Sequence, residues 1–215
     1  MRLRPSGTAG PVAVKLAAFA GYYAGEADTW EFLALTRARV VWATSEAFGW
    51  ACSGAVETAL RQRRDPAATR ADVADMRDLM RRERAAQGFW DLKLSDGGLV
   101  DVEFAAQTLQ ILGAANGGRL TPSTLASLAA ARDEGRLSAD LADALISSWR
   151  MHQALSQTIR LAIADAADPA LEPEPFQRLL AHTVGLDDLD ELHTALDAVR
   201  RRALAASRAV ISGQA

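Results

Sequence analysis

The segment SDGG at residues 95–98 contains residue types that can bring backbone amides close to a phosphate. It stands directly before an apolar pattern that predicts a helix from Leu99 to Gly113. The first N–H groups of a helix lack partners within the helix, and with the helix dipole they attract anions. Gly97 and Gly98 also permit close approach to the backbone. The segment therefore indicates either a phosphate-binding turn or a plain turn from a strand into a helix.

Two carboxylates, Asp101 and Glu103, occupy unusual positions in this predicted helix. Apolar residues fall on two opposite sides of it, as is typical of a helix buried between neighbours. The carboxylates lie in the narrow strips between those sides. A buried carboxylate is costly unless an arginine or another hydrogen-bond donor meets it. The pattern therefore predicts a specific polar network around this helix.

The other chemistry-bearing residues do not form a recognisable catalytic set. One cysteine, Cys52, and three separated histidines cannot supply the spacing of a zinc site. The sequence contains no GxSxG, P-loop or GxGxxG segment. His152 and His193 fall on predicted helices, where a core or surface histidine is favoured over a catalytic one. The residues by themselves thus indicate a helical domain with one unusual polar helix start.

The composition is that of an ordinary globular protein and argues against several functional classes. Of the 215 residues 49% are hydrophobic, and the strong helix formers alanine and leucine dominate. A net charge of −3 predicts no nucleic-acid partner. No apolar run reaches the roughly 20 residues that span a bilayer, and the N-terminus lacks the apolar core of a signal peptide. Since a single cysteine suits a reducing compartment, we predict a cytoplasmic protein with no membrane partner.

We predict a mainly α fold, a helical bundle with a short β-strand or hairpin at its N-terminus. Residues 2–4 alternate like a strand before Pro5, residues 11–14 are expected to return as a second strand, and DLKL at residues 91–94 also alternates. Periodicity and capping residues predict helices over residues 16–25, 29–42, 45–64, from Thr69, over 99–113, after Ser123, over 138–165, from Pro175 and from Asp187 or Asp188.

Three stretches, in this order, resemble the bifunctional glutamine synthetase adenylyltransferase/adenylyl-removing enzyme family. They are RLRPSGTAGPV, DTWEFLALTRARVV and DLKLSDGGLVDVEF. The family patterns are approximately D-x-R-L-R-P-x-G-x-x-G, W-E-x-x-A-L-x-[KR]-A-R and K-x-x-x-G-G-[IL]-x-[DE]-[IV]-E-F. The matching residues are Arg2, Leu3, Arg4, Pro5, Gly7 and Gly10, then Trp30, Glu31, Ala34, Leu35, Arg37, Ala38 and Arg39, then Lys93, Gly97, Gly98, Leu99, Asp101, Val102, Glu103 and Phe104.

This resemblance implies a division of the chain. Residues 1–25 would be the terminal strand and turn of a nucleotidyltransferase palm, and residues 26–215 a helical domain with a sub-boundary near 116–122. The intact enzyme would use ATP and Mg²⁺ to transfer AMP to a tyrosine of glutamine synthetase in nitrogen regulation. The TWE context resembles the adenylylating, C-terminal half of the family. The implied partners are glutamine synthetase and a PII-type signalling protein.

The resemblance also implies nucleotide-contacting arginines. Arg2 and Arg4 share one face of the predicted strand, where they would bind phosphate oxygens or, alternatively, pair with carboxylates of the palm. Arg37 and Arg39 diverge by about 200° on a helix, so that one would face the cleft while the other pairs internally. Both pairs are therefore nucleotide- or phosphate-binding candidates.

The third motif supplies the remaining candidates. Lys93 is implied as a triphosphate contact beside the glycine turn, the alternative being an exposed structural lysine. We expect three carboxylates to position the basic groups rather than to act as acid–base catalysts. These supporting residues are Glu31, Asp101 and Glu103.

Two departures from the family pattern bear on activity. The last metal-binding carboxylate of the family stands two residues before the first arginine of R-L-R-P, whereas here Met1 directly precedes Arg2. Phe32 stands where the family usually has a histidine. We therefore expect this chain alone to be inactive, to lack metal ligands and to hold neither ATP nor Mg²⁺ tightly. The alternative is a non-catalytic helical module that binds glutamine synthetase or a PII-type protein.

Overall fold

A computed structural model describes residues 13–163 and 168–215 of the protein, and this part of the chain is mainly helical. Over these residues it contains no β-strand. The predicted mainly α class is thereby confirmed. The helices are α1 (Leu16–Gly25), α2 (Thr29–Leu35), α3 (Glu46–Leu60), α4 (Pro66–Glu83), α5 (Leu99–Ala114), α6 (Thr124–Asp133), α7 (Ala139–Ala162), α8 (Glu174–His182) and α9 (Leu189–Ser212), with a short 3₁₀ turn at Pro169–Leu171.

Side-chain caps explain where several helices begin. Ser45 Oγ accepts from the amide of Phe48 at the start of α3. Ser123 Oγ and Asp188 Oδ1 do the same for α6 and α9. Such caps satisfy amides that have no partner within the helix. At its other end, α9 terminates on Gly213 in the left-handed conformation, which glycine adopts without steric cost.

The prediction that α2 would continue to residue 42 is wrong, because the helix ends at Leu35. The hydroxyl of Thr36 donates to the carbonyl of Leu33 at 2.6 Å and occupies an acceptor of the last turn. Residues 38–44 then leave the helix, and they carry Val41 and Trp42 with 84% and 78% of their surface exposed. The apolar run after α2 is therefore a surface feature rather than a core-facing helix stripe.

The predicted strand over DLKL is also wrong, since residues 92–94 form a turn. The carboxylate of Asp91 accepts from the amides of Lys93 and Leu94, at 3.1 and 2.8 Å, and from that of Gln87 at 3.2 Å. An aspartate that bonds to amides two and three residues ahead folds the backbone back on itself. Those amides are then not available to a strand partner.

The predicted N-terminal strand lies outside the described residues, as do Arg2 and Arg4. Ala13 and Val14, at the end of the expected second strand, are described and are not in a strand. The expected boundaries at residue 25 and near residues 116–122 remain predictions.

The described residues form two compact units. The first contains the chain up to Met76 together with Ala106–Arg136. Within it α3 packs against α1 and α2. The ring of Phe32, which is 7% exposed, meets Tyr23 edge-on at 5.3 Å and lies under the guanidinium of Arg64 at 3.8 Å. Phe32 is thus part of the hydrophobic core of this unit.

The second unit contains Arg77–Ala105 and Leu137–Ala215. Its α9 packs against α7 and α8. The apolar core joins the loop before α5 to these three helices, and its fully buried side chains include Leu155, Leu180, Leu192 and Leu196. This core supports the 95–98 turn that the sequence singles out.

Candidate functional site

The glycine turn before α5 is shaped by backbone contacts that exclude larger residues. Gly97 has a φ of +74°, and a Cβ there would lie 2.0 Å from the carbonyl oxygen of Arg200. A Cβ on Gly98 would lie 2.8 Å from the carbonyl oxygen of Leu92. Both distances are below any acceptable contact, so close packing against α9 and the preceding loop requires two glycines here.

The predicted polar network is present around Asp101. This side chain is 1% exposed and pairs with Arg77 of α4 through Nε–Oδ1 at 2.6 Å and Nη2–Oδ2 at 3.3 Å. Its Oδ2 also accepts from the amide of Gly97 at 2.6 Å. Arg77 Nη2 further donates to the carbonyl of Leu94 at 3.0 Å. Arg77 and Asp101 therefore fix the position of the turn relative to α5. The amide of Gly97 already has Asp101 as its hydrogen-bond acceptor.

A second set of buried polar groups continues from this turn into α7 and α9. Ser148 Oγ donates to the carbonyl of Gly97 at 2.8 Å. His152 Nδ1 donates to the carbonyl of Ser148 at 2.8 Å, since a carbonyl can only accept. His152 Nε2 is then the unprotonated nitrogen and accepts from Arg200 Nε at 3.2 Å. The turn is thereby tied to two helices of the same unit.

Burial determines the charge states of this set. Desolvation lowers the pKa of His152 to about 4, and the nearby charge of Arg200 acts in the same direction. Desolvation also lowers the pKa of Arg200 to about 10. The guanidinium of Arg200 lies over the ring of Phe89 at 4.9 Å. At neutral pH His152 is therefore an uncharged acceptor for a buried cation.

The remaining sequence candidates of the second unit lie nearer the surface. The side chain of Lys93 is exposed, and its amide donates to Asp91. Glu103 is half-buried on α5. The structure thus brings the glycine turn and Asp101 into direct contact and presents Lys93 on the loop before them.

Candidates from the second motif lie in the first unit. Glu31 is 2% exposed, and its two oxygens accept from the hydroxyl of Tyr22 at 2.9 and 2.7 Å. Glu31 Oε2 also accepts from the amide of Asp28 at 3.0 Å, which stabilises the start of α2. Arg37 and Arg39 are exposed in the segment after α2. Both arginines follow the helix end, so the helical divergence expected for them does not apply.

Arg39 borders a groove of about 490 Å³ in the first unit. The groove lies between the segment after α2, one face of α3 and the loop before α6, which contribute Thr36, Ala38, Arg39, Val40, Cys52, Ser53, Val56, Glu57, Leu60, Arg61, Arg119, Leu120, Thr121 and Pro122. Its volume is that of a small-ligand or peptide site.

Several of these functional groups escape sequence reasoning. Arg77 and Arg200 sit on helices rich in charged residues, where a solvated position is the normal expectation. The requirement of Asp101 for a donor indicated that such a partner exists but did not identify it. Arg119 follows two glycines in a loop and belongs to none of the three family motifs. Only the tertiary structure identifies these three arginines.

The described residues do not fit a magnesium ion. No group of three or more His, Cys, Asp or Glu side chains that could hold a metal occurs within residues 13–163 and 168–215. The two most buried carboxylates are already satisfied, Asp101 by Arg77 and Glu31 by Tyr22. These residues therefore offer no ligand set for the magnesium ion that the family resemblance implies.

Comparison with known proteins agrees with the arrangement of motifs. Residues 69–211 match the family model described as GlnD PII-uridylyltransferase. Residues 1–54 match the GlnE model, described as glutamate-ammonia ligase adenylyltransferase. The chain thus combines two regions known from nucleotidyltransferases.

Curated relatives match over almost the whole chain. A bifunctional glutamine synthetase adenylyltransferase/adenylyl-removing enzyme of Caulobacter vibrioides is 50% identical over 213 residues, which are 99% of this chain and 22% of the relative. The enzyme of the same name from Bradyrhizobium diazoefficiens is 41% identical over 214 residues, 99% of this chain and 21% of the relative. That from Rhizobium meliloti is 39% identical over 215 residues, again 99% and 21%.

The chain belongs to the glutamine synthetase adenylyltransferase family, and its residues 69–211 form the region that the GlnD PII-uridylyltransferase model describes. It spans about a fifth of the length of these relatives. Among the helices of the described residues, none has the length and apolar character to cross a membrane.

Proposed function

We propose that this chain is the C-terminal portion of a cytoplasmic enzyme that uses ATP and Mg²⁺ to transfer AMP to a tyrosine of glutamine synthetase in nitrogen regulation. The observation that carries the proposal is the match of 99% of the chain, at 50% identity, to a relative named for that activity. The three motifs fall within the matched region. The helical domain would close over the nucleotide and orient the protein substrate.

Two groups of residues are proposed to serve this activity. Arg2, Arg4, Arg37, Arg39 and Lys93 would contact the nucleotide. The buried turn of Gly97 and Gly98, whose amides bond to Asp101 and to the carbonyl of Ser95, would position Lys93. The exposure of Lys93, Arg37 and Arg39 leaves these side chains within reach of a ligand. Glu31, Asp101 and Glu103 would act as supporting groups. For Glu31 and Asp101 this role agrees with their burial and their bonds to Tyr22 and Arg77.

We further propose that the chain alone does not transfer AMP. Phosphoryl and nucleotidyl transfer depend on carboxylate-held metal ions that neutralise charge on the phosphates. The described residues provide no such carboxylate cluster. The chain would then contribute contacts to an active site whose metal ligands lie elsewhere in the longer enzyme.

A second candidate is a non-catalytic module that binds glutamine synthetase or a PII-type protein. The observation that favours it is the exposed apolar surface of Val41, Trp42 and Trp50, of which 72% or more is accessible at each residue. Large aromatic side chains are enriched at the centres of protein interfaces. Binding without chemistry would use such a surface.

One experiment tests both candidates. The purified chain is incubated with glutamine synthetase, Mg²⁺ and ATP labelled in its α-phosphate, beside a full-length relative as positive control. We expect label on glutamine synthetase only with the full-length enzyme. Metal-dependent labelling by the chain alone would contradict the proposed inactivity. Capture of glutamine synthetase or a PII-type protein by the unlabelled chain would support the module.

A further inference from the structure

The groove along α3 combines an apolar floor with a charged rim. Cys52, Val56 and Leu60 recur at i, i+4 and i+8 on one face of α3 and are half-buried or buried. Leu120 and Pro122 line it from the loop before α6. The floor therefore offers apolar contacts along about two helical turns.

The rim of the groove is positively charged. Three arginines and one glutamate line it, which leaves two positive charges in excess. Arg61 is committed to the fold, since it pairs with Glu57 at 2.7 Å and donates to the carbonyls of Ala114 and Gly118. The excess charge therefore resides on Arg39 and Arg119, which are both exposed. Within the described part of the chain Arg39 forms no ion pair. Arg119 lies close enough to the Glu134 carboxylate for their charges to attract, although that carboxylate already pairs with Arg136.

The position of Arg119 is set by its own backbone. Its amide donates to Glu134 Oε1 at 3.0 Å, and the other oxygen of that carboxylate accepts from Arg136 Nε at 3.0 Å. These bonds hold the loop before α6 and lower the pKa of Glu134. The Arg119 guanidinium is thus presented from an anchored loop.

Exposed apolar residues flank two of the segments that form the groove. Val41 and Trp42 directly follow Val40, which lines the groove, and Trp50 precedes the lining residues Ser53 and Glu57 by three and seven positions on α3, which places it near their side of the helix. Tryptophan and arginine together are the residues most enriched in energetically important protein interfaces. The surroundings of the groove therefore fit a protein segment better than a small enclosed ligand.

We infer that this groove is a docking site for an acidic, amphipathic segment of a partner protein. Apolar side chains of that segment lie on Val56, Leu60 and Leu120, and its carboxylates pair with Arg39 and Arg119. The inference goes beyond the proposed AMP transfer, because it assigns a protein ligand to Val56, Leu60, Leu120 and Arg119, which lie outside the three motifs. Arg39 would then bind a carboxylate of the partner instead of the nucleotide contact proposed for it above. Charge complementarity to the rim selects an acidic partner.

The test uses a fluorescent peptide of leucine and glutamate with leucines at helical i, i+3 and i+4 spacing. One control peptide replaces glutamate by lysine, and another replaces leucine by alanine. Binding to the complete chain is measured by anisotropy. Alkylation of Cys52 by iodoacetamide reports occupancy of the groove, because this is the only thiol of the chain.

We expect the leucine–glutamate peptide to bind and to slow alkylation of Cys52, and both control peptides to fail. The double variant Arg39→Gln/Arg119→Gln should weaken binding by about tenfold, because two rim ion pairs are lost. Arg63→Gln, which removes an exposed arginine outside the groove, should leave affinity unchanged. These substitutions affect exposed side chains, and helical circular dichroism verifies that the variants fold.

Three outcomes would overturn the inference. The first is equal affinity of the parent and the double variant for the peptide, and the second is binding without protection of Cys52. The third is protection of Cys52 by ATP or sodium phosphate but not by the peptide, which would assign the groove to a small anion. AMP transfer is not measured here, so failure of docking leaves the proposed function standing and is distinguishable from its failure.

Discussion

Arg200 donates its Nε–H to Nε2 of His152 at 3.2 Å, so that a neutral imidazole rather than a carboxylate holds a buried guanidinium. Arg200 is 7% exposed and His152 is fully buried. The tautomer follows from the bond of His152 Nδ1 to the carbonyl of Ser148. Protonation of this histidine would place two positive charges in contact away from water, which is unfavourable.

This arrangement predicts that acid destabilises the protein through His152. Its pKa is about 4 in the folded state against an ordinary value of 6.5, so the unfolded chain binds the proton more readily. The contribution is fully present above pH 6.5 and is lost as the pH falls toward 4. For this reason the free energy of unfolding should fall by about 2 kcal/mol between about pH 7.5 and pH 5. Urea unfolding at a series of pH values measures it.

The control for this prediction is a pair of histidine variants. His152→Gln should flatten the stability curve between pH 7.5 and 5, because glutamine does not titrate and its amide oxygen can accept from Arg200. His182→Gln, at an exposed position, should retain the slope of the parent. An unchanged slope in His152→Gln would show that other groups cause the acid sensitivity.

The pair of Arg77 and Asp101 should dominate the stability of the second unit. Arg77→Met removes both of its hydrogen bonds to the buried Asp101 carboxylate and leaves that carboxylate only the 3.5 Å ion pair with Arg81 Nη2, so we expect a loss of about 3 kcal/mol. Asp101→Asn added to Arg77→Met should recover part of this loss, because the poorly compensated buried charge is removed. Arg82→Met, at an exposed position of the same helix, should cost less than about 0.5 kcal/mol. Additive losses in the double variant, measured by urea unfolding, would contradict the coupling.

Substitution of Gly97 should be far more damaging than that of another glycine with positive φ. Gly97→Ala introduces both left-handed strain and a clash with the carbonyl of Arg200, so we expect a loss above about 3 kcal/mol or failure to fold. Gly185→Ala, with a φ of +79° and open space around it, should cost about 1 kcal/mol. Thermal unfolding compares the two variants, and similar melting temperatures would refute the close approach.

Lys93 should matter for nucleotide use in a full-length enzyme of this family that contains this sequence. Lys93→Ala is expected to raise the KM for ATP by about tenfold, since a lysine–phosphate contact is a charge-assisted hydrogen bond. Lys15→Ala, at the other lysine of the chain, should leave that KM unchanged. Initial rates at varied ATP concentration provide the measurement. An unchanged KM in Lys93→Ala would assign this side chain a structural role.

Local patterns were sufficient to predict most helices. Ser45, Ser123 and Asp188 begin helices where capping residues precede an apolar repeat. The helix from Leu99 was predicted to within one residue, because its two apolar faces favour no other structure. The polar environment of Asp101 was also predictable, since a buried carboxylate requires a donor.

Predictions based on alternating or periodic apolar residues were wrong at two places where a side chain forms hydrogen bonds with nearby backbone groups. Thr36 bonds to the last turn of α2, and Asp91 bonds to the amides that follow it. In both cases local hydrogen bonds between a side chain and the backbone outweigh a weak repeat of apolar residues. The groove beside α3 was not predicted, because three separate segments form it.

The sequence by itself determined the family, the helical class and the residues that need a special environment, namely Asp101 and the glycine turn. These depend on motifs, on propensity and on the cost of burying charge, which act over a few residues. Only the tertiary structure decided that Arg77 pairs with Asp101, that Arg200 donates to His152, and that Arg39 and Arg119 border one groove. Such partners come from distant parts of the chain, and their choice depends on how whole helices pack.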